Sequence, residues 1–96
     1  MPQLRIRHTQ GETLVTICDE ELIGEKFEEG ELKLEVKNSF YEGEEASVEE
    51  CINALKEATI ANLVGSIVKH AIKAQIINPK NVLRIQDVPH AQMARL

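Results

Sequence analysis

The sequence contains no tryptophan, one tyrosine and two phenylalanines in 96 residues. Holding successive bases on an aromatic platform, the usual device of single-strand nucleic-acid binders, has little to work with here. Cysteine is equally scarce. Cys18 and Cys51 fall in different expected elements, so they read as two buried reduced thiols rather than a disulfide scaffold. Together with His8, His70 and His90 they form no Cys-x-x-Cys or His-x-x-x-His pair, and no metal site or cofactor is expected. The acids Glu42, Glu44, Glu45, Glu49 and Glu50 lack the spacing of a calcium loop and read as a solvated face.

Long apolar runs are missing too. The longest uncharged stretch, residues 58–68, includes Asn62 and Ser66 and falls short of the roughly 18 residues a membrane span needs. Met1-Pro2 leads directly into an alternating segment, with no apolar core of signal-peptide length, so a cytoplasmic protein is expected. Positive charge is the minority: 11 Lys and Arg against 16 Asp and Glu leave a formal net charge of −5. That balance argues against bulk nucleic acid, DNA included, and against anionic membranes. Repeats, low-complexity tracts and linkers are absent, and residues 1–96 read as a single domain.

What is present is a clear alternation. Leu4 and Ile6 alternate with Arg5 and Arg7, and after a connection containing Gly11 the β-prone run 13–18 follows, which predicts a hairpin. Residues 19–24 suit a single helical turn, with Asp19, Glu20 and Glu21 at its positive end. A third strand is predicted over 32–36, where Leu32, Leu34 and Val36 share one side and Lys33 and Glu35 the other, giving the sheet a dry face and a wet one.

Ser47-Val48-Glu49-Glu50 matches a capping box and starts a helix. Its apolar stripe, Val48, Cys51, Ile52, Leu55 and Thr59, gives way near Thr59 to a second one of Ile60, Leu63, Val64, Ile67 and Ala71. Two consecutive helical segments, or one kinked helix, are expected across residues 47–77, ended by Asn78-Pro79. Residues 82–86 alternate again, Val88-Pro89-His90 reads as a rigid turn, and 91–96 returns as a partner strand. The expected fold is α+β in the order βββααββ, a two-layer sandwich whose mostly antiparallel sheet carries both helical segments on one face.

Five segments carry a family resemblance: Cys18-Asp19-Glu20-Glu21-Leu22 with Gly24; Phe27-Glu28-Glu29-Gly30 before Leu32, Leu34 and Val36; Ser39-Phe40-Tyr41 with Gly43; residues 58–65; and Val88-Pro89-His90-Ala91-Gln92. In this order they resemble the archaeal domain-of-unknown-function family 424 over essentially the whole chain. The resemblance implies an archaeal cytoplasmic protein with a two-layer α/β sandwich, and it brings no activity, cofactor or catalytic residue.

Candidate sites follow from residue type. Ser39-Phe40-Tyr41-Glu42-Gly43 concentrates two of the three aromatics in a turn-like segment and is the leading partner-contacting loop. Asn62, a polar amide in an apolar stretch, needs hydrogen-bond partners and is a candidate pocket wall shared with His90 and Gln92. These residues give the leading expectation, a non-enzymatic protein-interaction module meeting an unidentified protein through Phe40, Tyr41, His90 and Gln92. Charge is split along the chain: 15 acids against 6 bases in residues 1–57, net −9, and 1 acid against 5 bases in residues 58–96, net +4. Should Lys69, Lys73, Lys80 and Arg84 gather, they would form a patch for phosphate, which makes an RNA- or ribosome-associated factor the second expectation. The third is a small thiol enzyme, with Cys18 activated at a helix start and His90 and Asn62 as base and orienter. Edge strands leave pairing with a second copy open.

Overall fold

A computed structural model of the chain describes residues 1–95. Strands β1 (Pro2–Thr9) and β2 (Glu12–Asp19) form the expected antiparallel hairpin, in register from Thr9 opposite Glu12 to Pro2 opposite Asp19. Gln10 and Gly11 connect them with φ of 48° and 79°. Positive φ at both central positions is the type I′ pattern, whose twist matches that of the strands it joins. A 3-10 turn at Glu20–Leu22 follows, then a second hairpin of β3 (Lys26–Glu29) and β4 (Leu32–Glu35), the one-turn helix α1 (Asn38–Tyr41) and the short strand β5 (Glu44–Glu45). Helix α2 (Val48–Glu57), strand β6 (Ile60–Val64), helix α3 (Ile67–Lys73), a 3-10 turn (Pro79–Asn81), β7 (Leu83–Ile85) and β8 (Val88–Ala94) complete the described chain. The main sheet has the order β5-β1-β2-β6-β8-β7, and β3 and β4 make a separate two-stranded sheet.

The capping box forms as read. Ser47 Oγ accepts from the Glu50 amide at 3.1 Å, and the Glu50 carboxylate accepts from the Ser47 amide at 3.0 Å. Those two bonds hold the Glu50 carboxyl below its ordinary pKa.

The largest departure from expectation lies just beyond α2. Residues 60–64, assigned to a second helical segment by their spacing, are a central strand instead, parallel to β2 and antiparallel to β8. A five-residue apolar run carries too little periodicity to separate a buried strand from a buried helix. The change of apolar stripe near Thr59 therefore marks the passage from helix to strand. Thr59 fastens the start of that strand: its amide and hydroxyl donate to the Thr13 carbonyl at 2.9 and 3.2 Å, and its Oγ1 accepts from the Thr13 amide at 2.9 Å. Gly65 closes it at a φ of 96°, where a Cβ would also meet the Asp19 carboxylate. Asp19 in turn accepts from the Ser66 amide at 2.8 Å and the Ser66 hydroxyl at 2.6 Å, tying the end of β2 to the start of α3. The βββααββ order is thus replaced by one in which every helix is flanked by strands.

Cross-strand partners share a face, so the register sorts the side chains. Val15, Ile17, Ala61, Leu63 and Ala91 face α2 and α3 and pack with Cys51, Leu55, Ile67, Val68 and Ala71 into the main core. Both longer helices do lie on that one face. The other face is not uniformly wet. At one end, Cys18, Val64 and Ile85 are covered by Leu34, Val36 and Tyr41 from β4 and the segment that follows, while the middle of the face, around Asn62 and Gln92, stays accessible. The strand expected over 32–36 belongs to this partial third layer, not to the main sheet. Among the described residues no helix is long and apolar enough to cross a membrane.

Leu63 is fully buried in β6, whereas Leu32 at the tip of the small sheet is 40% exposed. In urea titrations, Leu63→Ala is expected to cost about 2–5 kcal/mol and Leu32→Ala less than about 0.5 kcal/mol. Equal losses would place the stability elsewhere than in the central strand.

Candidate functional site

Helix α1 carries Phe40 and Tyr41 and is fixed to the partly covered face by side chains of the first hairpin. Arg5 donates to the Ser39 carbonyl at 2.6 Å, and the buried Thr16 hydroxyl donates to the Phe40 carbonyl at 3.1 Å. Arg5 and Thr16 are cross-strand partners, so the two anchors stand side by side. The Arg7 guanidinium lies 5.0 Å from the centroid of the Phe40 ring, a cation–π contact. Phe40 and Tyr41 meet edge to face at 5.1 Å and 85°. Burial, with a smaller contribution from Cys18, pushes the Tyr41 phenol up to about 12.

Facing α1 across the sheet is a row set by the β6–β8 register, Asn62 opposite Gln92 and Val64 opposite His90. Gln92 Nε2 donates to Asn62 Oδ1 at 2.8 Å. Between this row, α1 and β4 runs a groove of about 420 Å³, walled by Leu34, Phe40 and Tyr41 on one side and by Asn62, His90 and Gln92 on the other, with Glu35, Lys37 and Ser39 at its rim. Burial lowers the His90 pKa from its ordinary value, so the imidazole is neutral at neutral pH. Its Nε2 is buried without a hydrogen-bond partner among the described residues. The walls are therefore uncharged: a phenol, an imidazole and two carboxamides. The Asn62–Gln92 bond leaves the Asn62 amide nitrogen as a donor and the Gln92 oxygen as an acceptor. Such a surface suits a neutral polar group presenting both an acceptor and a donor beside an apolar body.

All four residues expected to contact a partner, Phe40, Tyr41, His90 and Gln92, line this one groove, and Asn62 joins them. Cys18 does not line it. The thiol is wholly buried, its Sγ donates to the Asp19 carbonyl at 3.2 Å, and burial, Asp19 and Glu21 push it up to about 12. That is the reverse of the lowered thiol pKa expected at a helix start, because carboxylates and apolar cover outweigh one short turn. Val88-Pro89-His90, read as a turn, opens β8; the turn proper is Gln86-Asp87, both at positive φ. Of the four bases, Lys69 and Arg84 line a cavity of about 150 Å³ beside Pro89, and Lys73 and Lys80 lie outside its lining. Sequence reasoning missed Arg5, Arg7 and Thr16. The alternation of Arg5 and Arg7 against Leu4 and Ile6 already put both arginines on one face, but nothing in it says that an aromatic helix returns to lie over them.

The family described as protein of unknown function (DUF424) matches residues 7–96. Among solved structures, the crystal structure of an uncharacterized conserved protein from Methanopyrus kandleri is similar, with a TM-score of 0.77 at 21% identity, covering 99% of this chain and 94% of that one. At that identity the likeness concerns the fold alone. No curated protein matches the chain.

Two outcomes follow from the site's electrostatics. Thiols held at about 12 for Cys18 and about 11 for Cys51 are almost entirely protonated at about pH 8, so a disulfide reagent should titrate neither in the native protein and both after denaturation. Rapid native labelling of Cys18 would contradict its burial. For His90, the folded value lies below the ordinary 6.5, so the unfolded chain binds a proton that the folded chain refuses. Stability is full above that ordinary value and falls as pH drops through it toward the folded value. Melting temperatures should decline between about pH 7.5 and about pH 5.5, less steeply in His90→Gln; identical slopes would show that His90 is not the group responsible.

Proposed function

The chain belongs to the DUF424 family, and from its geometry we propose that it is a non-enzymatic binding module that receives a segment of a partner protein in the groove between α1 and the β6–β8 row. One observation carries the reading: the aromatic loop and the segment 88–92, about fifty residues apart in sequence, line the same groove. The chemistry supports a peptide occupant. Lys37 at the rim is balanced by Glu35, so the groove carries no net positive charge for a phosphate, whereas the free donor and acceptor of the Asn62–Gln92 pair match the two sides of an amide, with Leu34 and Phe40 available for an apolar side chain. A cytoplasmic location belongs to this reading and draws support from two buried, unpaired cysteines.

A second reading, an RNA- or ribosome-associated factor, is supported by the convergence of Lys69 and Arg84 on the cavity beside Pro89. Its contacts would be phosphates, and binding would weaken steeply with added salt.

Selection from a random peptide display library tests the first reading. Peptides enriched on the wild-type protein should bind Asn62→Leu and Gln92→Leu about tenfold more weakly or worse, the loss expected when bonded polar groups are left unmatched. Enriched peptides that bind these variants unchanged would sink it, as would enrichment of none.

A further inference from the structure

The outer side of β8 is only half closed. Strand β7 pairs with it from Val88 to His90, whereas β6 accompanies it through to Ala94 on the other side. The Gly65 amide donates to the Pro89 carbonyl at 2.9 Å and the Arg95 amide to the Thr59 carbonyl at 2.7 Å, so the odd-numbered residues of β8 direct their backbone groups toward β6. The even-numbered ones therefore direct theirs outward. Those of Val88 and His90 meet Ile85 and Leu83 across the hairpin. Gln92 and Ala94, both exposed, have no such neighbour, which leaves their N–H and C=O groups without a backbone partner among the described residues. Residues 91–94 contain neither the proline nor the lysine that usually blunts an open edge.

Two recesses flank these groups, one on each face of the sheet. On the α1 face, the Gln92 side chain belongs to the groove between α1 and the β6–β8 row. On the helix face lies a cavity of about 250 Å³, lined by Ile76, Ile77, Asn78, Asn81 and Met93 and by no charged residue. Cross-strand partners share a face, so a strand laid along β8 would bring the side chains opposite Gln92 and Ala94 to the groove mouth and the one opposite Met93 to the cavity. We propose that this edge is a strand-addition site for an extended, uncharged segment of a partner protein in which hydroxyl or carboxamide residues alternate with apolar ones. It rests on the groove reading for the polar side chains and on the free groups of Gln92 and Ala94 for the pairing. The hydroxyls or carboxamides meet the Asn62 nitrogen and the Gln92 oxygen, and the apolar side chain between them meets Ile76, Ile77 and Met93. Nothing charged stands opposite the segment at 92–94. Lys80, between the two asparagines of the cavity, and Arg95, just after Ala94, are both basic, so lysine or arginine in the segment gains nothing. A second copy fits poorly as the occupant. Of the described residues it would bring, Gln92 and Arg95 are bonded within their own chain, Met93 is packed against its own core and Ala94 is a single methyl group, so groove and cavity would both stay unfilled.

A short fluorescent peptide of alternating threonine and valine, capped at both ends, is the probe. It should bind the full chain and slow exchange of the Gln92 and Ala94 amide protons about tenfold or more, leaving those of Ala91 and Met93, already turned to β6, unchanged. N-methylation of the peptide on the backbone groups that face β8 should weaken binding about tenfold. Ala94→Pro removes an outward N–H that the β6–β8 ladder does not use, so it should fold, as circular dichroism would verify, and bind about tenfold more weakly. The methylated peptide on the unmodified protein gives the same reading should that variant not fold. Absence of binding, binding without slowing at Gln92 and Ala94, or equal binding of the methylated peptide would each overturn the proposal and leave the groove to its own test. Equal binding of a lysine–valine peptide would overturn the uncharged occupant, and a concentration-dependent dimer that Ala94→Pro abolishes would replace it with a second copy. Undiminished binding and slowing in Asn62→Leu would uphold the edge and sink the groove reading alone.

Discussion

The parallel pairing of β2 with β6 is the constraint on which the rest of the structure depends. Strand β6 is hydrogen-bonded along both edges, its face bearing Ala61 and Leu63 is covered by α2 and α3, and its far end at Val64 is covered on the other face too, so its apolar run shows no clean alternation. Its register sets Ala61 and Leu63 against α2 and α3 and turns Asn62 and Val64 to the opposite face. A shift by one residue would exchange those sets, exposing Leu63 and burying an unmatched carboxamide in the main core. Thr59, locked to Thr13 through backbone and hydroxyl together, excludes that shift at the point where the strand begins.

The site inherits its form from the same register. Asn62 meets Gln92 because β8 runs antiparallel to β6, and both remain accessible because the β3–β4 hairpin covers only one end of the face. Arg5, Arg7 and Thr16 then hold α1 at the border of the cover, where Phe40 is half-buried and Tyr41 nearly wholly so. The groove is thus the gap between a full sheet and an incomplete third layer. Incomplete cover of this kind leaves a concave strip with packed walls on an otherwise ordinary sheet surface.

Local chemistry was legible in the sequence, and long-range pairing was not. The first hairpin and the Ser47–Glu50 capping box each rest on signals a few residues long, and each is present. Phe40, Tyr41, His90 and Gln92 stood out as aromatic or polar residues in irregular-looking segments, and they line one groove. Helical spacing in residues 60–71 misled because Ile67, Val68 and Ala71 do belong to a helix, so the pattern continued the register of α3 backward across a strand. Val88-Pro89-His90 misled for a different reason. Proline reads as a turn, yet Pro89 is accommodated in β8, with Gln86-Asp87 taking the reversal just before it. The failure at Cys18 was one of surroundings: neighbouring amides are visible in a sequence, whereas the apolar cover that raises the thiol arrives from Leu34, Val36 and Tyr41.

The crossover that joins β2 to β6 has a kinetic side. Some forty residues separate the two strands, and in that interval the chain builds a hairpin, a helical turn, an edge strand and a capped helix before returning to the centre of the sheet. The first hairpin is local and can close early, but one edge of β2 must wait for a segment that leaves the ribosome much later. Loop-closure entropy is then met before the central contacts compensate it, the circumstance that slows chains whose pairing is non-local. Until the β2–β6 closure the inner edge of β2 is bare, and the nascent protein exposes a strand edge that the finished one has closed with β6.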